Sequence, residues 1–249
     1  MPARIRLSFA LALLSRVAFA QSPSTALPGV RFTLPRATDT IVYARTVTRS
    51  GTDSASGTRT VAMRAIASPG APATLEVVQR FPGGGGEIVD TALADLSTLR
   101  AMAHRSHQPA RTMRFTFVGE RAQGSVVFLR ATGDSTVAVD QAVGAIFDSN
   151  IIELVVASLP LRDGYAADVP FFIYERGGRV MMPVTVTGRA SVAFPRLGAR
   201  DAWVVTVGVP GAPATVWVDA TTRAVLRVRY DIAARALAFT DDRVTPLRD

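Results

Sequence analysis

AVLRVRYDI, residues 224–232, gives the clearest indication of the fold, because its apolar and charged residues alternate. In a β-strand, alternate side chains point to opposite faces of the sheet. The face predicted to be dry carries Ala224, Leu226, Val228, Tyr230 and Ile232. The face predicted to be wet carries Arg227, Arg229 and Asp231. A strand with one dry and one wet face is typical of an antiparallel sheet.

The same pattern recurs along most of the chain as short runs rich in Val, Thr and Phe, each closed by Gly, Pro or Asp. Residues 111–118 are a second example, in which Met113 and Phe115 oppose Arg114 and Thr116. The predicted strands are 40–49, 59–67, 74–81, 111–118, 125–131, 136–140, 171–175, 179–187, 202–209, 215–219 and 224–232. We therefore predict a mainly β protein, a curved antiparallel sheet or half-barrel of about 10–11 strands.

One segment departs from this pattern and predicts a short apolar helix. The run IIELVVASL, residues 151–159, follows Asn150 and ends at Pro160, and Asn150 with Glu153 resembles a capping box. We predict a helix over 151–158 that lies in the concavity of the curved sheet. A buried strand remains the alternative, because periodicity does not separate the two structures in a short apolar run.

The first twenty residues predict a secretory signal peptide, MPARIRLSFALALLSRVAFA. Arg4 and Arg6 form the positive region, an apolar run follows, and cleavage is expected after Ala20. The expected organisation is signal peptide 1–20, flexible lead-in 21–38, one β-rich domain 39–240 and polar tail 241–249. The protein is expected in the periplasm or outside the cell. Because the chain has no cysteine, it is not expected to be a cysteine-anchored lipoprotein.

Composition argues against nucleic acid as a partner despite a net charge of +8. All 28 basic residues are arginines and they are scattered along the chain, so a solvated Arg/Asp surface explains the charge. The absence of cysteine also excludes disulfides and thiolate metal ligands. Peripheral contact with the cell envelope stays open.

His104 and His107 are the only histidines, so imidazole chemistry has to use one of them. On a strand, residues three apart point to opposite faces, and no HExxH frame or recognised ligand set surrounds them. We expect them in a polar loop or at a strand end. We therefore predict no catalytic residue, no metal site and no cofactor, although whether the protein is an enzyme stays uncertain.

Apolar and aromatic side chains cluster in and around the predicted helix, where a curved sheet could enclose a ligand. The ligand-lining candidates are Phe147, Ile152, Val155, Tyr165, Phe171, Phe172 and Tyr174. Ordinary core packing is the alternative for these residues.

Three segments resemble a secreted bacterial family known as domain of unknown function 3108. They are LPLRDGY at 159–165, VTVTGRASVAFPRLGARDAW at 184–203 and VWVDATTRAVLRVRY at 216–230. The resemblance spans residues 90–231 and implies an exported β-rich domain, similar in outline to the half-barrels of periplasmic lipoprotein carriers. It implies no catalytic residue.

The function we expect is therefore a non-enzymatic exported protein that binds an apolar or lipid-like ligand. Two alternatives remain: an exported hydrolase that uses His104 or His107, and an outer-membrane β-barrel. The barrel would account for the alternating strands and the signal peptide, but the chain lacks aromatic girdles.

Overall fold

A computed structural model of the chain describes residues 38–247, except 68, 71, 84 and 195. The predicted signal peptide lies outside the described residues, and so does the predicted lead-in apart from Thr38. Within the described ranges, no helix is both long and apolar enough to cross a membrane.

The described residues form one sheet of fifteen strands, in the order β8-β7-β6-β5-β4-β3-β2-β1-β15-β14-β13-β12-β11-β10-β9. The sheet is open and curved and does not close into a barrel. The strands are β1 Thr38–Arg49, β2 Thr52–Ile66, β3 Thr74–Gly83, β4 Gly86–Asp95, β5 Ala101–Gln108, β6 Arg111–Val118, β7 Arg121–Phe128, β8 Ser135–Ala142, β9 Phe147–Asp148, β10 Ala166–Ile173, β11 Gly178–Phe194, β12 Gly198–Val207, β13 Ala214–Asp219, β14 Val225–Ile232 and β15 Leu237–Arg243.

The sheet consists of two meanders joined in its middle. Strands β1 to β8 form one meander and β10 to β15 the other, and every consecutive pair within each meander is antiparallel. The first and last strands pair with each other, with Tyr43 opposite Arg243 and Arg49 opposite Leu237. We call this β1–β15 pairing the seam. It brings together residues from opposite ends of the described chain.

The predicted mainly β fold with one short apolar helix is confirmed. The sheet has fifteen strands rather than ten or eleven, because β4, β5, β15 and the two-residue β9 were not predicted. The boundaries of β6, Arg111–Val118, agree with the prediction. The glycine run that begins at Gly83 turns between β3 and β4 as a hairpin, with Gly83 opposite Gly86.

The predicted helix is also confirmed. A 3-10 turn, Ser149–Ile151, leads into α1, Ile152–Ser158, which ends before Pro160. The predicted capping box is wrong: the side chain of Asp148 accepts a hydrogen bond from the Asn150 amide, and no side chain caps α1 itself. Glu153 is therefore free to bond elsewhere in the molecule.

The main core lies between α1 and the face of the sheet that we call the inner face. Apolar residues of α1 pack there with residues from both meanders, including Val61 and Leu75 from one and Val216 and Val228 from the other. An isolated helix this short is unstable in water, so α1 owes its structure to this packing. The sheet curves around α1, as the sequence predicted.

Two details of the prediction were wrong. Leu226 does not share a face with Val228: the register shifts between β13 and β14, and Leu226 packs with Phe194 and Ala202 on the outer face. Asp241 does not belong to a solvated tail, because β15 continues to Arg243 and Asp241 is fully buried. The ordered sheet thus extends into the segment expected to be a polar tail.

Candidate functional site

A row of buried polar side chains crosses the inner face of the sheet at the seam. We call these residues the inner belt: Arg45 on β1, Arg59 on β2, Gln79 on β3, His104 on β5 and Asp241 on β15. Charged groups are rarely buried unless they are paired. The inner belt is therefore the part of this core whose chemistry needs an explanation.

Arg45 and Asp241 form a two-pronged ion pair directly across the seam. Their backbones are opposite each other in the register of β1 and β15. Arg45 Nε donates to Asp241 Oδ1 at 2.7 Å and Arg45 Nη2 donates to Oδ2 at 2.8 Å. The Arg45 guanidinium also lies 4.6 Å from the centre of the Phe81 ring. Each charge of this pair is satisfied within the sheet.

Arg59 connects the sheet to α1. Its Nη2 and Nε donate to Gln79 Oε1 at 2.9 and 3.2 Å, and its Nη2 also donates to the carboxylate of Glu153. Asp241 Oδ2 is more distant, at 3.5 Å from Nη1. Burial lowers the pKa of Arg59, but the Glu153 and Asp241 carboxylates more than offset it and raise that pKa overall. Arg59 therefore stays charged, and Glu153 is its closest acid.

The segment that crosses the inner belt is held to it at three points. We call residues 148–158 the cover segment; it begins at Asp148, the last residue of β9, and continues through the 3-10 turn to the end of α1. Glu153 bonds to Arg59, the Asn150 carbonyl accepts a bond from Gln79 Nε2, and Asp148 bonds to His104. The polar contacts of the cover segment with the sheet thus coincide with the inner belt.

His104 lies at one end of the inner belt, fully buried in a polar site. Its Nδ1 is 3.1 Å from Asp148 Oδ2 and 3.2 Å from Asn150 Nδ2. The Tyr174 hydroxyl donates to the same Asp148 oxygen at 2.8 Å, and the Tyr174 ring stacks on the imidazole with centroids 3.9 Å apart. A carboxylate beside an imidazole is also the arrangement that orients a catalytic histidine.

Two tyrosines border the inner belt and are held neutral. Burial raises the pKa of Tyr43 and of Tyr230 well above the usual value for a phenol. The Tyr43 ring lies 5.5 Å from the Arg59 guanidinium, where it supplies the face of an aromatic ring to the cation. Tyr43 thus adds an aromatic contact to the hydrogen-bonded partners of Arg59.

The predicted polar loop or strand end is wrong for His104, which lies within β5, whereas His107 lies one residue before the end of that strand. They belong to one regular strand, β5, where the register places His104 on the inner face and leaves His107 exposed on the outer face. The two imidazoles therefore belong to separate environments. Among the described residues, no serine or threonine hydroxyl bonds to His104, and no cluster of His, Cys, Asp and Glu could hold a metal ion.

All seven ligand-lining candidates are buried, and they divide between two apolar clusters. The main core contains Phe147, Ile152, Val155, Tyr165 and Phe171. A second cluster contains Phe172 and Tyr174, which pack against Phe115 of β6. They pack within these two clusters, and the prediction that they line a ligand site stays a prediction.

A cavity of about 60 Å³ lies beside the second cluster and is lined by Phe117, Glu120, Val143 and Ala145, among others. Sites for drug-sized ligands are roughly 300–1,000 Å³, so this cavity suits water rather than an apolar chain.

Sequence reasoning missed every charged member of the inner belt. Nothing in the sequence distinguishes Arg45 and Arg59 from the other arginines of a chain that has 28 of them. Asp241 was assigned to the polar tail, and Glu153 was assigned to a helix cap. One signal was present: Glu153 is the single charge in an otherwise apolar helix, so it needed a buried partner.

Comparison with known proteins places the chain in a family without an assigned activity. A family model described as "Protein of unknown function (DUF3108)" matches residues 43–236. No curated protein matches the chain.

The chain is similar to two solved structures at low sequence identity. The first is a beta-barrel-like protein of domain of unknown function DUF1849 from Brucella abortus, 12% identical, covering 83% of this chain and 95% of its own, with a TM-score of 0.49. The second is a DUF1329 family protein from Desulfovibrio piger, 10% identical, covering 84% of each chain, with a TM-score of 0.31. Since the DUF3108 model matches most of its length, the chain belongs to the DUF3108 family.

Proposed function

We propose that this protein is an exported, non-enzymatic binding protein, and that an apolar chain takes the place of the cover segment on the inner face of the sheet. The single observation that carries the proposal is the relation of α1 to the sheet. One layer of curved sheet presents an extensive apolar face, and the only α-helix among the described residues covers it.

The cover segment has the properties of a part that another apolar molecule could replace. The apolar side chains of α1 are buried against the sheet, and each contributes about 1.5–3 kcal/mol through burial. An apolar ligand would bury the apolar side chains of the sheet that α1 now covers. The helix is too short to persist alone, so displacement would unfold it rather than create a second folded state.

Co-purification tests the binding proposal. The protein would be purified from its own host without detergent and examined by native mass spectrometry, before and after extraction with organic solvent. We expect a bound apolar molecule that the extraction removes and that the protein takes up again from lipid vesicles. Repeated ligand-free spectra together with no uptake from vesicles would contradict the proposal.

Processing of the first twenty residues tests the export proposal. The full chain would be produced in a bacterial host, fractionated and sequenced from its N-terminus, with Ala18→Arg/Ala20→Arg as the matched variant. We expect the mature chain to begin at Gln21 in the exported fraction, and the variant to remain uncleaved because small residues are required at the site. An unprocessed wild-type chain in the cytoplasm would contradict export.

The hydrolase alternative has one favourable observation, the pairing of His104 with Asp148. Both side chains are fully buried, so a substrate would have to displace the cover segment to reach them. His104→Gln tests this alternative: loss of an activity found by screening, with the fold retained, would support it. The outer-membrane barrel has less support, because a membrane-spanning barrel pairs every strand edge and this sheet is open.

A further inference from the structure

We propose that the ligand of the inner face is an apolar chain with an anionic head group, and that Arg59 binds that head group. This inference rests on the proposed function and specifies the chemistry of its ligand. It follows from the composition of α1, from the bonds of Arg59, and from the loss of the closest counter-ion of Arg59 when the cover segment leaves.

The helix α1 carries the same two kinds of chemical group as the ligand we propose. Its sequence, IELVVAS, combines an apolar body with one carboxylate, that of Glu153. Both the apolar side chains and the carboxylate are buried against the sheet. A fatty acid or an anionic lipid would present the same two groups, so α1 occupies the inner face much as such a ligand would.

Arg59 loses its closest counter-ion once Glu153 is removed. The two-pronged bond between Arg45 and Asp241 lies entirely within the sheet and would survive displacement of α1. Arg59 would retain only Gln79 Oε1 and the more distant Asp241 oxygen at 3.5 Å. A buried cation that has lost its closest counter-ion, and that shares its remaining carboxylate with Arg45, is in an unfavourable position. An incoming ligand that supplies an anion removes this penalty, whereas a neutral one does not.

The geometry around Arg59 suits a carboxylate or a phosphate. A guanidinium presents its donors as a planar fork that matches the oxygens of either group. Gln79 Oε1 accepts from both Nε and Nη2 and so fixes the plane of that fork. Departure of the Asn150 carbonyl would also release Gln79 Nε2 as a further donor. Two neighbouring belt residues would therefore face the head group.

Three oleoyl compounds that share one acyl chain test the inference. Oleate carries a carboxylate, oleoyl-lysophosphatidylglycerol carries a phosphate, and monoolein is neutral. Affinities would be measured by isothermal titration below the micelle-forming concentration of each compound. We expect the wild type to bind at least one anionic compound about tenfold or more tightly than monoolein, which is a difference of one decade in Kd. The difference in affinity between oleate and oleoyl-lysophosphatidylglycerol shows whether the site prefers a carboxylate or a phosphate.

Two belt variants and one surface variant complete the test. E153Q removes the carboxylate that competes with the ligand, so it should bind the preferred anionic compound more tightly than the wild type. R59M/E153M replaces the buried pair with apolar side chains, an exchange that proteins often tolerate. It should bind monoolein and lose the preference for an anion. R64M/E76M removes an exposed Arg–Glu pair from β2 and β3 and should behave like the wild type.

Each outcome supports or overturns a stated claim. If none of the three compounds binds, the proposed function fails. If monoolein binds the wild type as tightly as the anionic compounds do, the proposed function stands and this inference fails. Weaker binding of the anionic compounds to E153Q, or an unchanged preference in folded R59M/E153M, would also overturn the inference. The wild-type and E153Q results decide it even if the double variant does not fold.

Discussion

The inner belt and the outer face use the same chemistry with different consequences. On the inner face Arg59 pairs with Glu153, and both side chains are only 3% exposed. On the outer face Arg64 pairs with Glu76 across β2 and β3, and the arginine side chain is 59% exposed. Exposed pairs contribute little because water and salt compete for them. The buried pair fixes where α1 lies, and breaking it leaves a charge that water does not reach.

The largest effect is expected from breaking the buried pair on one side only. R59M leaves the Glu153 carboxylate in the core without its cation, and should lower the free energy of unfolding by about 3–5 kcal/mol. R59M/E153M should recover most of that loss, because it removes both charges. Urea unfolding monitored by circular dichroism would measure all three proteins. Equal stabilities of the single and double variants would show that the pair is not coupled as the structure indicates.

A smaller effect is expected at the histidine end of the inner belt. H104A removes the imidazole that bonds to Asp148 and stacks on Tyr174, and should cost about 1–3 kcal/mol because buried polar groups lose their partner. His107 on the outer face of the same strand provides the matched control. H107A should change stability by no more than about 0.5 kcal/mol. A comparable loss of stability in H104A and H107A would mean that the burial of His104 does not determine its contribution.

The exposed pair on the outer face should matter least among these charges. R64A should lower the free energy of unfolding by about 0–1 kcal/mol, and this difference from the wild type should shrink in high salt. Urea unfolding at low and high salt would measure it. A loss as large as that of R59M, or one that salt leaves unchanged, would remove the distinction between the two faces.

The smallest effect concerns an acid that is held by neutral donors rather than by arginine. Burial tends to raise the pKa of Asp95, but hydrogen bonds from the side chains and amides of Ser97 and Thr98 lower it overall. A lowered pKa in the fold means that the stabilisation is present above the unfolded pKa of about 3.9 and is lost as pH falls through the folded value.

D95N should therefore flatten the acid limb of the stability curve. This flattening would be measured as the melting temperature of each protein from neutral pH down to below the pKa of an aspartate in the unfolded chain. The wild type should lose stability in that window more steeply than the variant. Parallel curves for the two proteins would contradict this role of Asp95.

Periodicity in the sequence predicted the strands whose inward side chains are apolar. In β6, Met113 and Phe115 point inward, and the predicted boundaries agree with the structure. The predicted helix over 151–158 also agrees, because its apolar run ends at a proline. These features depend on neighbours in the sequence, which is why local patterns reveal them.

Two strands of the candidate site, β5 and β15, were missed for a physical reason. In β5 the inward residues include His104 and Ser106, and in β15 they include Asp241 and Arg243. Inward polar groups break the alternation that marks a strand. The partner that makes Asp241 tolerable in the core is Arg45, on a strand at the other end of the described chain. No local pattern contains that pairing.

Hydrogen–deuterium exchange of the α1 amides, residues 152–158, with and without oleate would show directly whether a ligand displaces the helix. We expect oleate to speed exchange in α1 while the amides of β1, β2 and β3 remain protected, because the ligand displaces the helix and leaves these strands in place. Exchange in α1 that stays slow or slows further while oleate is bound would contradict displacement, since the helix would then still cover Arg59.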